Sequence, residues 1–177
     1  MMRSPNKARR LTTLAILSAM ALAVQWFESF LPPIVPAVPV KLGLANIFTL
    51  YALLRLSRRE AFAVSMLRCL LFPLVSGAVS GFFYAAVGSL LSWAVMVLLL
   101  PLVRRDLLSA MGLSIAGAFC FNLGQALVGF VTVGRAMLAY FPYMGLLSVP
   151  AGLATGMLCT LLMQRLAGTE AAARVRS

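Results

Sequence analysis

The sequence contains no histidine and only four acidic residues among 177. Without histidine, the chain cannot form a histidine-ligated zinc site, a Ser-His-Asp triad or a Cys-His nucleophile pair. Four carboxylates are too few for a cluster that holds magnesium. The three cysteines (Cys69, Cys120 and Cys159) lie far apart in apolar stretches, which favours buried free thiols over a disulfide or a metal site. We therefore expect neither an enzyme nor a cofactor.

Charged residues are also scarce, and apolar residues dominate. Hydrophobic residues make up 62% of the chain and charged residues only 11%, whereas soluble domains are nearer one half and one quarter. The net charge of +11 does not indicate a nucleic-acid partner, because the basic residues occur in short clusters between apolar runs rather than on one polar face. The composition predicts an all-α integral membrane protein.

Six apolar runs predict six transmembrane helices, given that a span needs about 20 mostly apolar residues and fewer where neighbours bury it. The first run ends in a proline-rich stretch, which favours a retained helix over a cleaved signal peptide. The predicted domains are a basic N-terminus (1–10), a six-helix domain (11–167) and a tail (168–177). The runs are 11–31, 42–56, 61 to the small-residue stretch 76–81, 82–103, 107–133 and about 143–166, the last broken early by Pro150.

The basic residues alternate strongly between the two ends of the runs. Of the 15 lysines and arginines, 12 lie at run ends that would face one side of the membrane. The exceptions are Lys41 and Arg135, which would face the other side, and Arg68. Arg68 lies inside the third run. By the positive-inside rule, this distribution predicts six spans with both termini in the cytoplasm, since five or seven would place the C-terminal arginines outside.

Polar side chains within the apolar runs are the candidate ligand-binding residues, because such groups are costly at membrane depth. Several of them cluster toward the predicted outer half, which favours a polar cavity open to the outside. Arg68 and Lys41 would attract an anionic or electronegative group of the ligand. The candidates are Glu28, Lys41, Asn46, Arg68, Asn122 and Gln125.

Each candidate also has a purely structural interpretation. Glu28 and Arg68 could form a buried ion pair that only fixes the bundle. Asn122 and Gln125, three residues apart on one helical face, could hydrogen-bond to a neighbouring helix. Lys41 could extend its ammonium group to the membrane interface. The sequence leaves both interpretations open.

Small residues on the first run suggest a docking face. Ala15, Ala19 and Ala23 recur every four residues, and such spacing lets helices approach closely. At 100° per residue, Glu28 lies about 180° from Ala19, so the alanines could face a partner while Glu28 points into the bundle. The chain has no GxxxxGK[ST] loop, and ATP hydrolysis would therefore come from other chains.

Several segments resemble the Gx transporter family, also known as heptaprenyl diphosphate synthase component I. The most specific is FESFLPPIVPAVPVKLGLANIFTLYAL (27–53), and REAFAVSMLRCLLFPLVSG (59–77), FNLGQALV (121–128) and the proline-containing last run agree in order and spacing. The resemblance covers about residues 10–167. One departure is Phe121, which stands where the family usually has a histidine, so any ligand contact of that histidine is absent here.

The family is in turn similar to the substrate-binding S components of energy-coupling factor transporters. These six-helix proteins bind a micronutrient from outside and dock through small residues of helix one on a transmembrane coupling protein and ATPases. The resemblance implies a transport subunit in a bacterial plasma membrane, binding a small micronutrient or an isoprenoid- or quinone-like ligand. It assigns docking to Ala15, Ala19 and Ala23, and ligand binding to the six candidates.

Two other functions remain open from the sequence. The family's second name favours a membrane subunit associated with polyprenyl diphosphate synthesis and partnered by a prenyl synthase. Such a role would be non-catalytic, because prenyl synthases hold diphosphate through magnesium on aspartate-rich motifs and this chain has a single aspartate, Asp106. The third is a structural assembly factor, for which changes at Arg68 or Glu28 would affect stability alone.

Overall fold

A computed structural model describes residues 7–30, 43–77 and 80–175, and all regular structure in these segments is α-helical. Each of the six predicted apolar runs overlaps one helix, which confirms the all-α prediction. The helices are α1 (Lys7–Glu28), α2 (Asn46–Arg55), α3 (Arg58–Ser76), α4 (Ser80–Arg104), α5 (Ala110–Val133) and α6 (Ala136–Val175).

Four helices are long and apolar enough to cross a membrane, which identifies a membrane protein. The candidate spans are Arg10–Glu28, Gly81–Arg104, Ala110–Val133 and Ala136–Arg165. Helix α2 has 10 residues and is therefore about 15 Å long, half the thickness of a bilayer's hydrocarbon core. The count of six spans and the orientation of the termini stay predictions.

Helices α1 and α3 begin at the same end of the bundle. Ser57 is the N-cap of α3, and its Oγ accepts a hydrogen bond from the Glu60 backbone N–H. Arg10 of α1 donates from Nε and Nη2 to Glu60 Oε1, at 2.9 and 2.7 Å. Burial alone would raise the pKa of Glu60, but hydrogen bonds from Ser57 and Arg10, together with the Arg10 charge, hold the pKa below its usual value.

The short helix α2 lies at the centre of the bundle. It packs against each of the other five helices, and it is buried on several sides through Phe48, Leu50, Ala52 and Leu53. A helix that is apolar nearly all round belongs in such a core. In the described segments, α1 packs on α2 and α3, whereas α6 packs on α2 and α5. The other helices thus surround α2 in the order α1, α3, α4, α5, α6.

Glycines bring α4, α5 and α6 very close together. A Cβ atom at Gly124 of α5 would lie 2.6 Å from the Cα atom of Gly88 on α4. One at Gly152 of α6 would lie 2.5 Å from the Cα atom of Ile115 on α5. Contacts this short leave no room for any side chain, so this part of the bundle depends on backbone-to-backbone packing.

The expected break at Pro150 is wrong, because α6 continues through both Pro142 and Pro150. Helices in membrane proteins tolerate proline where neighbouring helices and hydroxyl side chains satisfy the freed backbone groups. The helix also continues through most of the predicted tail (168–177), as far as Val175. Its 40 residues make it about 60 Å long, twice the hydrocarbon thickness.

Candidate functional site

The centre of the candidate site is Arg68, a charged side chain that is only 2% exposed in the middle of α3. Its Nη2 atom donates to Asn46 Oδ1 of α2 at 3.0 Å and to Ser89 Oγ of α4 at 2.7 Å. Both partners are neutral, and the Nε atom has no hydrogen-bond partner in the described segments. The positive charge therefore has donor capacity to spare inside the bundle.

The possible ion pair between Glu28 and Arg68 is not formed in the described structure. The ion pair found there joins Arg10 to Glu60 near the start of α3. Glu28 instead accepts a hydrogen bond from the backbone N–H of Gly43, with 2.6 Å between Oε1 and N. Gly43 precedes the N-terminus of α2, the end at which a helix dipole favours negative charge.

Glu28 and Arg68 nevertheless line one small cavity. It receives side chains or backbone from α1, α3, α4, α5 and the segment before α2. Its volume is about 10 Å³, room for about one water molecule, so a larger ligand requires the lining groups to move apart. The lining residues are Gln25, Glu28, Gly43, Arg68, Gly81, Ala85, Phe121 and Gln125.

The two amides of α5 differ in their surroundings, although the sequence places them on one face. Asn122 Nδ2 donates to the Met144 carbonyl oxygen at 2.9 Å and to Ser148 Oγ at 3.0 Å, so Asn122 connects α5 to α6. Gln125 lines the cavity and donates from Nε2 to Asn122 Oδ1 at 3.3 Å. The contacts of Asn122 match its structural interpretation, and Gln125 remains a candidate for ligand contact.

Asn46 touches the site through its bond to Arg68, while its Nδ2 atom is buried without a partner in the described segments. Of the six candidates, Lys41 lies outside the described residues. Phe121 is buried, and its ring packs closely on Gly43 and Gly88. The cavity wall is therefore aromatic and uncharged at this position.

Gly43 is specifically required at its position for two reasons. Its φ of +80° is a left-handed conformation that favours glycine, and a Cβ atom there would lie 2.9 Å from Phe121 Cδ1. The same residue presents its N–H to Glu28. Its backbone conformation and its hydrogen bond thus combine to hold the carboxylate at the cavity.

The sequence reasoning missed two polar residues of the site. Gln25 is buried on α1 and lines the cavity, and its position three residues before Glu28 on the same helical face was a usable signal. Ser89 of α4 contacts Arg68 and also accepts a hydrogen bond from the Cys69 thiol at 3.3 Å. No sequence signal separated Ser89 from the other serines of the apolar runs.

The alanine positions of α1 lie opposite the site, as the helical geometry predicts. Ala15, Ala19 and Ala23 are exposed, whereas Ala21, Gln25 and Glu28 on the other face are buried. A partner could reach the alanines without disturbing the cavity. Their role in docking stays a prediction.

The helices and the buried arginine-lined cavity define an α-helical membrane protein with a polar interior site. Its family follows from comparison with known proteins. The chain belongs to the heptaprenyl diphosphate synthase component I family, whose family model matches residues 17–162. Comparison with curated proteins and with solved structures gives no match.

Proposed function

We propose that this protein is the substrate-binding membrane subunit of an energy-coupling-factor-like uptake transporter. The observation that carries the proposal is the buried Arg68 at a cavity shared by several helices. Within the described residues it has two neutral hydrogen-bond partners, and its Nε atom has none. Such a charge is costly inside a membrane protein, and a ligand with an anionic or electronegative group would compensate for it. A micronutrient or an isoprenoid- or quinone-like molecule is the expected ligand class.

In this proposal the chain binds and delivers its ligand but performs no covalent step. Six spans in a bacterial plasma membrane, with both termini in the cytoplasm, would place the cavity toward the outside. The exposed face of Ala15, Ala19 and Ala23 would dock on a transmembrane coupling protein, and ATPase subunits would supply the energy.

The test of this proposal is purification of the tagged protein in mild detergent, with mass spectrometry of the bound proteins and small molecules. We expect a coupling protein and ATPases with the wild type, and their loss in Ala19→Leu. Ala63→Leu on α3 is the matched control, since Ala63 is also an exposed alanine. Recovery of a prenyl synthase, with no ATPase under any mild condition, would contradict the transport role.

The same purification tests the binding site. Arg68→Gln should lower the yield of any co-purified ligand about tenfold or more, since hydrogen bonds to a charged group contribute about 1.5–3 kcal/mol. Arg59→Gln is the control, because Arg59 is exposed near the start of α3. Equal ligand yields from wild type and Arg68→Gln would show that the cavity is not the binding site.

The second candidate function is a non-catalytic membrane subunit that assists polyprenyl diphosphate synthesis. The description of the family favours it. In that case the co-purified partner would be a prenyl synthase, and Ala19→Leu would leave the recovered proteins unchanged unless the same face binds the synthase.

A further inference from the structure

Three buried hydroxyl groups next to the site have no hydrogen-bond partner in the described segments. Thr49 of α2, Ser65 of α3 and Ser92 of α4 are each at most 1% exposed. Hydroxyl groups in a membrane helix commonly donate to the carbonyl oxygen four residues earlier. Five others in the described segments do so: Thr12, Thr132, Ser148, Thr155 and Thr160.

The helical register places these three hydroxyl groups at one depth. Thr49 follows Asn46 by three residues, Ser92 follows Ser89 by three, and Ser65 precedes Arg68 by three. Short connections join α2 to α3 and α3 to α4, so α3 runs antiparallel to both. Along its own helix, each hydroxyl residue is therefore about 4.5 Å from a residue that takes part in the Arg68 hydrogen bonds. All three are displaced toward the same end of the bundle.

Helix α5 gives an independent check on this depth. A Cβ atom at Gly117 would lie 3.2 Å from Ser92 Oγ, and Gly117 is four residues before the cavity-lining Phe121. Ser92 is therefore one helical turn beyond the cavity wall. We call Thr49, Ser65 and Ser92 the hydroxyl layer.

The buried polar atoms of the hydroxyl layer, Arg68 and Asn46 that lack a partner in the described segments can all donate a hydrogen bond. Besides the three hydroxyl groups they include Arg68 Nε and Asn46 Nδ2. The Glu28 carboxylate lines the cavity itself, beside Gly43. About 4.5 Å beyond Arg68 and Asn46 along the helices, the polar groups are the three hydroxyls.

We propose that the hydroxyl layer and Arg68 form an inner subsite for an oxyanion, the carboxylate or phosphate group of the bound ligand. The ligand then binds with its anionic end beyond Arg68 and its other end toward Glu28. An oxyanion has enough lone pairs to satisfy several of these donors at once, and each buried group left unpaired costs about 1–3 kcal/mol. This inference rests on the proposed ligand-binding function and specifies the chemistry of the ligand.

The test measures thermal unfolding of the purified protein in detergent with sodium phosphate, sulfate or acetate, each against chloride at equal ionic strength. An oxyanion should raise the wild-type midpoint by about 2–4 °C at about five times its dissociation constant. A shift with phosphate and sulfate alone indicates a phosphate group in the ligand, and a shift with acetate indicates a carboxylate. Absence of a shift with all three anions overturns the proposal.

Variants show whether a shift arises at the hydroxyl layer. Ser65→Ala and Thr49→Val should each abolish the midpoint shift that the oxyanion causes. In chloride, the unfolding midpoint of each variant should equal or exceed that of the wild type, because a buried hydroxyl without a partner in the described segments is removed. Ser114→Ala should retain the shift, since Ser114 is a buried hydroxyl paired with Thr155 at 2.7 Å on the other side of the bundle. A full shift in the double variant of Ser65 and Thr49 overturns the subsite.

The outcome for the subsite is separable from the outcome for the proposed function. A co-purified ligand that is lost in Arg68→Gln but bound normally by the Ser65 and Thr49 variants would leave ligand binding intact and exclude the inner subsite. A ligand unaffected by Arg68→Gln would exclude both.

Discussion

The two sides of the bundle differ in whether their buried polar groups have hydrogen-bond partners. On α5 and α6 they have hydrogen-bond partners: Ser114 pairs with Thr155, and Asn122 bonds to Met144 and Ser148. On α1–α4 lie all of the buried side-chain nitrogen and oxygen atoms that lack a partner in the described segments. They belong to Ser18, Gln25, Asn46, Thr49, Ser65, Arg68 and Ser92.

The packing of the helices follows a similar division, except that α4 shares the close glycine contacts of α5 and α6. Glycines bring α5 into backbone contact with α4 and α6, as at Gly124 and Gly152. No glycine lies within α1, α2 or α3. A scaffold is stable when its polar groups are satisfied internally, whereas a binding site keeps groups that only a ligand satisfies. The comparison therefore agrees with a scaffold at α5–α6 and with proposed ligand recognition mainly on the α1–α4 side, to which α5 adds Phe121 and Gln125 of the cavity lining.

The largest expected effect concerns the scaffold. Gly124→Ala places a Cβ atom 2.6 Å from the Gly88 Cα atom, and the backbones must separate. We expect a loss of about 1–3 kcal/mol in unfolding free energy, measured as a midpoint lowered by about 2–4 °C per kcal/mol. Gly145→Ala is the control, because the nearest atom to its Cβ is Phe119 Cε2 at 3.4 Å. Equal unfolding midpoints for the two variants would contradict the inference that close glycine packing stabilises this part of the bundle.

A matched pair of serine variants tests whether buried polar groups on the two sides of the bundle differ in their contribution to stability. Ser148 accepts from Asn122 and donates to the Met144 carbonyl oxygen, so Ser148→Ala should cost about 0.5–1.5 kcal/mol. Ser18 is buried without a partner, and Ser18→Ala should leave the unfolding midpoint unchanged or raise it. Both variants delete the same atom from a buried helical position. The comparison fails if Ser18→Ala is the more damaging of the two.

The smallest effect is expected at the α1–α3 contact on the recognition side. Arg10 is 54% exposed, so its pair with Glu60 should contribute only about 0.2–1 kcal/mol. Because the folded-state pKa of Glu60 is lowered, this stabilisation is present above its ordinary value of 4.5 and is lost as the pH falls through the lowered pKa.

Unfolding midpoints of wild type and Arg10→Gln between pH 7 and pH 3 measure this contribution. The two curves should differ near neutral pH and converge in acid. A constant difference over the whole range would mean that Arg10 acts through packing rather than through the Glu60 charge.

The helices could be predicted from the sequence because each apolar run is separated from the next by proline, glycine or clustered charge. The ends of α4 and α5 agree with the predicted runs to within three residues. Pro150 misled the prediction of α6, because a proline interrupts a helix in water but is tolerated where neighbouring groups satisfy the freed carbonyl.

The site was only partly predictable. Arg68 and Glu28 could be found because charge is rare at membrane depth, and this rule needs no knowledge of neighbours. The different contacts of Asn122 and Gln125 could not be foreseen, since both lie on one face of α5 and their separation depends on how closely α6 approaches. The hydroxyl groups without a partner in the described segments could not be predicted either. The sequence shows where serine and threonine occur, but not whether a hydroxyl donates to a carbonyl oxygen of its own helix.

The depth of Arg68 also makes the membrane potential relevant to this protein. Arg68 lies about 15 Å from the start of α3, which in the predicted six-span arrangement would be near the middle of a hydrocarbon core about 30 Å thick. In that arrangement, a monovalent anion that reached Arg68 from either side would cross about half of the electric field. At about 2.3 kcal/mol per charge per 100 mV, that half is worth about 1.1 kcal/mol, or about sevenfold in affinity. An energised cell and a detergent micelle would therefore give different affinities for the same anion at the same arginine.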